Sequence, residues 1–261
     1  MPSSALLELK GISKRFGAVQ ALRQVDFEVH PGEVVALVGD NGAGKSTLVK
    51  TISGIIPIDS GEVLFEGRPV SLTGPQAASS LGIATVYQDL ALCDNLDVVG
   101  NLFLGREQRA GGLGKLVGWL DETAMEQQAS ALLQRLSVSI PSVRTQVAAL
   151  SGGQRQSIAV ARAMMGSPKM VLLDEPTAAL GVAQTRQVLD LIRRLREQGL
   201  GVVVISHNLR DVLSVADRIV VLRLGRRVAT FQVASVREVE VVAAITGASV
   251  EPEPAPGEAR G

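Results

Sequence analysis

The chain has 261 residues, and 46% of them are hydrophobic, which is enough to bury a sizeable globular core. Lys plus Arg and Asp plus Glu both number 26, and this balance argues against nucleic-acid binding, which usually requires a basic excess. The lone cysteine, Cys93, excludes an internal disulfide, and with only two histidines a zinc site is not expected either. Neither a secretory signal nor a membrane span is predicted, so we expect a soluble chain that reaches a membrane only through a partner.

The first part of the chain predicts a small antiparallel sheet. Residues 6–9, 25–29 and 63–65 are short apolar runs typical of strands. Turn residues such as Pro31-Gly32 and Ser60-Gly61 separate these runs. We expect this sheet to pack beside a larger one formed by the rest of the chain.

A glycine-rich segment after the apolar run Val34–Val38 carries the strongest chemical signal. Its residues, hereafter the phosphate loop, are Gly39, Asp40, Asn41, Gly42, Ala43, Gly44, Lys45, Ser46 and Thr47. Glycines let successive backbone N–H groups surround a phosphate, and a helix that starts near Gly44 adds its positive end. Lys45 suits the β- and γ-phosphates, and the Ser46 hydroxyl suits Mg²⁺. The alternative is a plain turn, and the loop alone does not separate a kinase from a GTPase or a motor.

The middle of the chain has a different character. From about residue 89 to residue 162 no apolar run is typical of a strand. Met125, Ala129, Leu132 and Leu136 recur at helical spacing instead. We therefore predict an inserted helical lobe over about 89–162, with a glycine-rich surface loop at 106–118.

A second glycine turn lies at the end of this lobe. Leu150-Ser151-Gly152-Gly153-Gln154-Arg155-Gln156 precedes a helical stretch at 157–165. One interpretation is a flexible turn in which Ser151 caps the helix. The other is a second anion site made of backbone N–H groups and a serine hydroxyl. Since one ATP needs one phosphate loop, pairing of two chains explains a second site, because each turn then completes the other chain's site.

An acidic pair, Asp174-Glu175, ends the apolar run Met170–Asp174. Such a strand is expected to end at the same sheet edge as the phosphate loop. There Asp174 would hold the Mg²⁺ shell through water, and Glu175 would polarise the water that attacks the γ-phosphate. A solvated acidic turn would be the commoner interpretation if the phosphate loop were absent.

The alternation of apolar runs with helical segments predicts an α/β fold with a mainly parallel central sheet. The runs interpreted as its strands are 34–39, 83–87, 170–174, 202–206 and 219–222. Val188, Ile192 and Leu195 recur at helical spacing between two of these runs. We predict one domain over residues 1–247 and a disordered tail over 248–261, which is rich in proline and glutamate.

Together these motifs resemble the nucleotide-binding subunits of ABC transporters over about residues 6–247. The resemblance implies a P-loop NTPase fold and an ATPase that uses ATP and Mg²⁺. It also implies that Ser151, Gly152, Gly153 and Gln154 belong to the signature motif, which contacts the partner's ATP in an ATP-dependent homodimer. The remaining implied roles are Mg²⁺ sensing and permease coupling for Gln88, γ-phosphate contact for His207 and adenine stacking for Phe16.

Three segments are similar to monosaccharide importers, namely 86–97, 174–182 and 216–227. The chain length is similar to the single-cassette branch, which serves ribose-, xylose- or fructose-like sugars. The resemblance implies transmembrane permease subunits, a periplasmic sugar-binding protein and a peripheral location at the cytoplasmic side of the inner membrane. Gly181 departs from the family, which usually has Asp there, and puts the coupling between the two ATP sites in question.

Other functions remain open from the sequence alone. The chain could energise the transporter of a different solute. A non-transport ABC ATPase would act on chromosomes, ribosomes or repair intermediates, but it usually has coiled-coil insertions, a second cassette or a basic surface. A regulatory module with little turnover is suggested by Gly181, whereas Glu175 and His207 favour hydrolysis.

Overall fold

The computed structural model describes residues 5–111 and 119–248. Part of the predicted surface loop, 112–118, and residues 249–261 of the predicted tail lie outside the described residues. Within the described ranges, no helix is both long and apolar enough to cross a membrane.

The strands form two sheets. In chain order they are β1 (Leu7–Phe16), β2 (Val19–Val29), β3 (Val34–Val38), β4 (Ser60–Phe65), β5 (Arg68–Pro69), β6 (Ile83–Val86), β7 (Met170–Asp174), β8 (Gly201–Ile205), β9 (Arg218–Arg223) and β10 (Arg226–Gln232). The smaller sheet has the order β2-β1-β4-β5, and all of its pairings are antiparallel. This confirms the small antiparallel sheet, although β1 and β2 extend well beyond their apolar runs.

The larger sheet has the order β10-β9-β3-β8-β7-β6. Its pairings are parallel except for β10, which runs antiparallel to β9 at the edge. Every residue of β3 and β8 is buried, as expected for parallel strands covered on both faces. The sequence did not predict β10, because most of its residues are exposed and no apolar run marks it.

Helices cover the larger sheet. In chain order they are α1 (Lys45–Ile52), α2 (Pro75–Leu81), α3 (Val98–Phe103), α4 (Glu122–Arg135), a 3₁₀ turn (Val147–Ala149), α5 (Gly152–Met164), α6 (Val182–Glu197), α7 (Leu209–Val215) and α8 (Glu238–Thr246). The α/β fold is thereby confirmed. The described residues between 89 and 162 form helices, loops and two isolated bridges, Asp97 with Gln146 and Arg109 with Leu120.

The core lies on both faces of the larger sheet. Val34, Ala36 and Val38 of β3 pack with residues of α3 to α7, whereas Val35 and Leu37 pack with α1 and the smaller sheet. Alternate residues of one strand point to opposite faces, which explains why a continuous apolar run is needed here. The predicted helical face of Met125, Ala129, Leu132 and Leu136 is buried in the first of these clusters.

The strand register brings three loops to one edge. Ile205 of β8 pairs with Leu37 of β3 on one side and with Asp174 of β7 on the other. These strands are parallel, so the loops that follow their carboxyl ends lie beside one another. Those loops contain the phosphate loop, the residue Glu175 and the residue His207.

Candidate functional site

The phosphate loop has the backbone that its glycines allow. Gly39, Gly42 and Gly44 have φ values of 149°, 78° and 105°, which side-chain-bearing residues rarely adopt. Space is also restricted, since a Cβ atom on Gly44 would lie 2.7 Å from the carbonyl oxygen of Ala21. Any larger residue at Gly44 would therefore disturb both the loop and β2.

Lys45 folds back over the phosphate loop. Its Nζ atom donates to the carbonyl oxygens of Gly39 and Asp40 at 2.6 and 3.0 Å. Lys45 also begins α1, whose first backbone N–H groups have no partner within the helix. The loop therefore offers a cation and free N–H donors to an anion at the same place.

The turn between β9 and β10 supports the phosphate loop. Gly225 donates its N–H to the carbonyl oxygen of Ala43 at 3.0 Å and accepts from the N–H of Arg23 at 2.7 Å. Glycine is required here, because φ is 77° and a Cβ atom at this position would lie 2.7 Å from the carbonyl oxygen of Ala21. Sequence reasoning missed this contact: Leu224-Gly225 could have been identified as a turn, but its partner lies far away in the chain.

Glu175 and His207 meet at the sheet edge. Nδ1 of His207 lies 2.9 Å from Oε1 of Glu175, whose side chain is only 16% exposed against 75% for His207. The backbone of Glu175 has a positive φ of 49°, and its N–H donates to the carbonyl oxygen of Ile205 at 2.9 Å. The sequence predicted roles for both residues but not their contact.

Asp174, the last residue of β7, is a half-buried carboxyl group. Burial raises its pKa, and the neighbouring charge of Glu175 raises it further, while Lys45 and Lys50 act in the opposite direction. The surroundings of Asp174 thus only partly compensate the charge of its carboxylate form. An additional cation at this edge would favour its ionised form.

The Ser151 turn begins α5 with a reciprocal cap. Gln154 N–H donates to the Ser151 hydroxyl at 3.3 Å, and Ser151 N–H donates to the Gln154 side chain at 3.0 Å. The turn is packed closely: a Cβ atom on Gly152 would lie 2.9 Å from Leu180, and one on Gly153 would lie 2.9 Å from Gln184. The glycines therefore let α5 approach the start of α6.

Gln88 is exposed just after β6. It begins the segment 88–97, which is fixed by hydrogen bonds from two side chains. Arg162 of α5 donates to the carbonyl oxygens of Leu90 and Ala91, both at 2.7 Å. The side chain of Asn101, which is fully buried, accepts from the N–H of Cys93 and donates to three carbonyl oxygens of the segment. Sequence reasoning missed Arg162 and Asn101, because neither belongs to a glycine or acidic motif.

Phe16 ends β1 with 46% of its surface exposed. Nζ of Lys14 lies over its ring, 5.6 Å from the centroid. Of the predicted site residues, the phosphate loop, Asp174, Glu175 and His207 share one sheet edge. The Ser151 turn packs against Leu180 and Gln184 instead, and its role at an ATP site stays a prediction.

Comparison with known proteins gives a consistent result. The sequence model of the family described as ABC transporter matches residues 22–178. The chain is 47% identical to the fructose import ATP-binding protein of Rhizobium meliloti, over 98% of this chain and 99% of that protein. It is 50% identical to the xylose/arabinose import ATP-binding protein of Sulfolobus acidocaldarius, over 85% of this chain and 86% of that protein.

Solved structures with the same fold include two ATP-binding cassettes. The ADP conformation of one cassette of an ABC transporter has a TM-score of 0.77 and 27% identity, covering 94% of this chain and 96% of the other. A dimeric post-hydrolysis cassette bound to ADP and Pi has a TM-score of 0.70 and 25% identity, covering 87% and 98%.

Proposed function

The chain belongs to the ABC transporter family, and on this basis we propose that it is the ATP-hydrolysing subunit that energises a monosaccharide importer. One observation carries the catalytic part of the proposal, namely the contact of Glu175 with His207 beside the phosphate loop. The sugar class is supported by the two relatives, of which one is named for fructose and the other for xylose and arabinose. Because these names differ, the proposal extends to monosaccharides as a class.

The phosphate loop binds the phosphates of ATP. Lys45 leaves the carbonyl oxygens of Gly39 and Asp40 for the β- and γ-phosphates, because an anion offers it stronger charge-assisted bonds. The backbone N–H groups of residues 39–47 complete this contact. At the other end of the nucleotide, the exposed ring of Phe16 stacks on adenine.

Mg²⁺ fits the chemistry of the same edge. Asp174 supports a cation there, since it ends β7 at the sheet edge of the phosphate loop and offers carboxylate oxygens, the donors that Mg²⁺ prefers. We assign Ser46, Asp174 and Gln88 to this ion, as hydroxyl, carboxylate and amide oxygen donors. When bound, Mg²⁺ supplies neutralisation of the phosphate charge.

Glu175 activates water and His207 contacts the γ-phosphate. The contact at 2.9 Å orients the Glu175 carboxylate, and the low exposure of that side chain limits competition from bulk solvent. His207 is largely exposed, so its ring can reach a phosphate in front of the sheet edge.

Two chains are needed for a complete site. We propose that Ser151, Gly152, Gly153 and Gln154 of one chain contact the ATP held by the phosphate loop of the other. A head-to-tail pair with twofold symmetry makes this contact twice and gives an isologous interface. The dimeric relative that contains ADP and Pi supports pairing of such cassettes.

The segment 88–97 contacts the permease. Its shape is maintained by Arg162 and Asn101, so it presents a fixed surface rather than a loose loop. Beside it lies a cavity of about 370 Å³, lined among others by Leu90, Leu102 and Arg106. We propose that a cytoplasmic helix of the permease docks there, that the chain lies peripherally at the cytoplasmic side of the inner membrane, and that a periplasmic sugar-binding protein supplies the solute.

The test is purification of the tagged chain from membranes, followed by reconstitution with the proteins that accompany it. We expect a polytopic membrane protein to co-purify, and a panel of monosaccharides to identify at least one that raises ATP turnover in the vesicles. Turnover that no sugar stimulates, with both the permease and the periplasmic sugar-binding protein present in the vesicles, would contradict the sugar assignment. Absence of turnover in any assembly would favour the regulatory module.

A further inference from the structure

Lys14 is an unusual lysine because its surroundings bury it. Only 9% of the residue is exposed, although it lies on β1 in the smaller sheet. Lysine is rarely buried to this extent unless it has a partner. Lys10, on the same strand, is exposed, and its Nζ atom lies 3.3 Å from a carboxylate oxygen of Glu8. Burial of Lys14 therefore indicates a specific arrangement rather than a general property of β1.

The partner of Lys14 is Asp59. Nζ of Lys14 donates to Oδ1 of Asp59 at 2.7 Å, and the same Nζ lies 5.6 Å from the centroid of the Phe16 ring. A cation within about 6 Å of an aromatic centroid is attracted to the face of that ring. The ammonium group thus connects a carboxylate on one side with an aromatic face on the other.

Asp59 also holds the backbone on both sides of Lys14. Its Oδ2 atom accepts from the N–H of Arg15 at 2.6 Å, and its own N–H donates to the carbonyl oxygen of Ser13 at 3.0 Å. The hydrogen bond from Lys14 and that from the Arg15 backbone both lower the pKa of Asp59, so the carboxylate is ionised at neutral pH. These contacts compensate for an irregular ladder, because the pairing of β1 with β2 shifts register on each side of Lys14.

Asp59 lies in the chain between the two parts of the proposed nucleotide site, the phosphate-loop helix and the region around Phe16. Asp59 ends the connection from α1, the helix that starts with Lys45, and immediately precedes β4. Residues 53–59 therefore join the C-terminal end of α1 to Asp59, which contacts Lys14 and Arg15 next to Phe16. Since Lys14 lies over one face of the ring, a base that stacks on Phe16 would use the opposite face.

We propose that Lys14 and Asp59 are a positioning pair. They hold the Phe16 ring where it can stack on the nucleobase of an ATP whose phosphates are bound by the phosphate loop. The inference rests on the proposed function, in which Phe16 stacks on adenine. Neither residue touches the reacting phosphates. Their contribution is to hold one ring face in place, so the base does not have to order the strand end when it binds.

Direct titration with two ligands tests the pair. MgATP has a base, whereas magnesium tripolyphosphate offers the phosphates alone. We expect Lys14→Met and Asp59→Asn to weaken MgATP binding by about threefold to tenfold, the range of one cation–π contact, and to leave tripolyphosphate binding unchanged. Lys14→Arg, which keeps the cation, is expected to restore most of the affinity. Lys10→Met is the matched control on the same strand and should change neither affinity.

A double-mutant cycle with Phe16→Ala separates the inference from the proposed function. If Phe16→Ala weakens MgATP binding and Lys14→Met adds no further loss in that background, the pair acts through the ring. The positioning role would be refuted if the Lys14→Met protein lost as much affinity for tripolyphosphate as for MgATP. It would also be refuted if Lys14→Met weakened MgATP binding as much in the Phe16→Ala background as in the original protein. Either result would leave the stacking role of Phe16 in place. If Phe16→Ala itself leaves MgATP affinity unchanged, the stacking assignment fails, and the inference fails with it. Thermal unfolding midpoints of all variants exclude a general loss of structure.

Discussion

Nδ1 of His207 lies 2.9 Å from Oε1 of Glu175, although the two residues follow different strands of the sheet. The contact fixes the direction in which the Glu175 carboxylate points. It depends on the register of β7 and β8, in which Asp174 pairs with Ile205. A change in that register would separate the pair while leaving each residue at its place in the sequence.

Glu175→Gln tests the catalytic assignment. Glutamine keeps the shape and a hydrogen bond to His207 but loses the carboxylate that activates water. We expect MgATP to bind normally and phosphate release to fall by about a hundredfold or more, the usual value of a general base. We also expect light scattering to detect a stable dimer with MgATP and a largely monomeric chain without it.

Glu62→Gln is the control for this variant, because Glu62 is an exposed carboxylate of β4. It should leave turnover unchanged. If the Glu175→Gln protein stays monomeric and hydrolyses ATP at the original rate, both the catalytic role and the pairing are wrong.

Lys45→Ala tests the phosphate loop. The substitution removes the cation that now contacts Gly39 and Asp40, and charge-assisted bonds of this kind contribute about 1.5–3 kcal/mol each. Affinity for MgATP should therefore fall roughly tenfold or more in a direct titration. Lys169→Ala, which removes a surface pair with Glu66, should have little effect. An unchanged dissociation constant for Lys45→Ala would refute the assignment.

Gly153→Ala tests the Ser151 turn. The new Cβ would lie 2.9 Å from Cβ and 3.2 Å from Cα of Gln184, so α5 and α6 have to separate. Overpacking of this kind costs about 1–3 kcal/mol. Because we propose that the turn acts on the partner's nucleotide, turnover should fall while MgATP binding by the single chain persists.

Gly181→Ala provides the matched control for the crowded glycine. Position 181 has open space around it and a φ of −72°, so alanine fits there without strain. Turnover and unfolding midpoint should both stay close to the original values. A loss of nucleotide binding in Gly153→Ala, measured on the monomer, would place the turn in its own chain's site instead.

Arg162→Met tests the coupling segment. The guanidinium joins α5, which begins at the Ser151 turn, to the carbonyl oxygens of Leu90 and Ala91. Without it we expect basal ATP turnover to stay the same and permease-stimulated turnover to fall about tenfold or more, as for loss of charge-assisted hydrogen bonds. Arg210→Met, on the exposed side of α7, is the control. Equal loss of basal and stimulated turnover would contradict a role in coupling.

The sequence predicted those parts of the fold that depend on local pattern. The buried run of β3 and the glycines of the phosphate loop have a physical cause within a few residues, so pattern and structure agree. The contacts that complete the site join residues that are distant in the sequence. Gly225 reaches Ala43, and Asp59 reaches Lys14, across long separations that only the folded sheets bring together. β10 was missed because an exposed edge strand needs no apolar run.

The turn at Gly225 has a consequence for measurement. The Gly225 N–H donates to the carbonyl oxygen of Ala43, and the Arg23 N–H donates to the carbonyl oxygen of Gly225. A phosphate loop that becomes more rigid therefore also stabilises these two amide hydrogen bonds, although neither amide contacts a ligand. Hydrogen exchange at the amides of Gly225 and Arg23 should slow when the loop binds phosphate. Exchange at the β9–β10 turn therefore reports whether the phosphate loop is occupied.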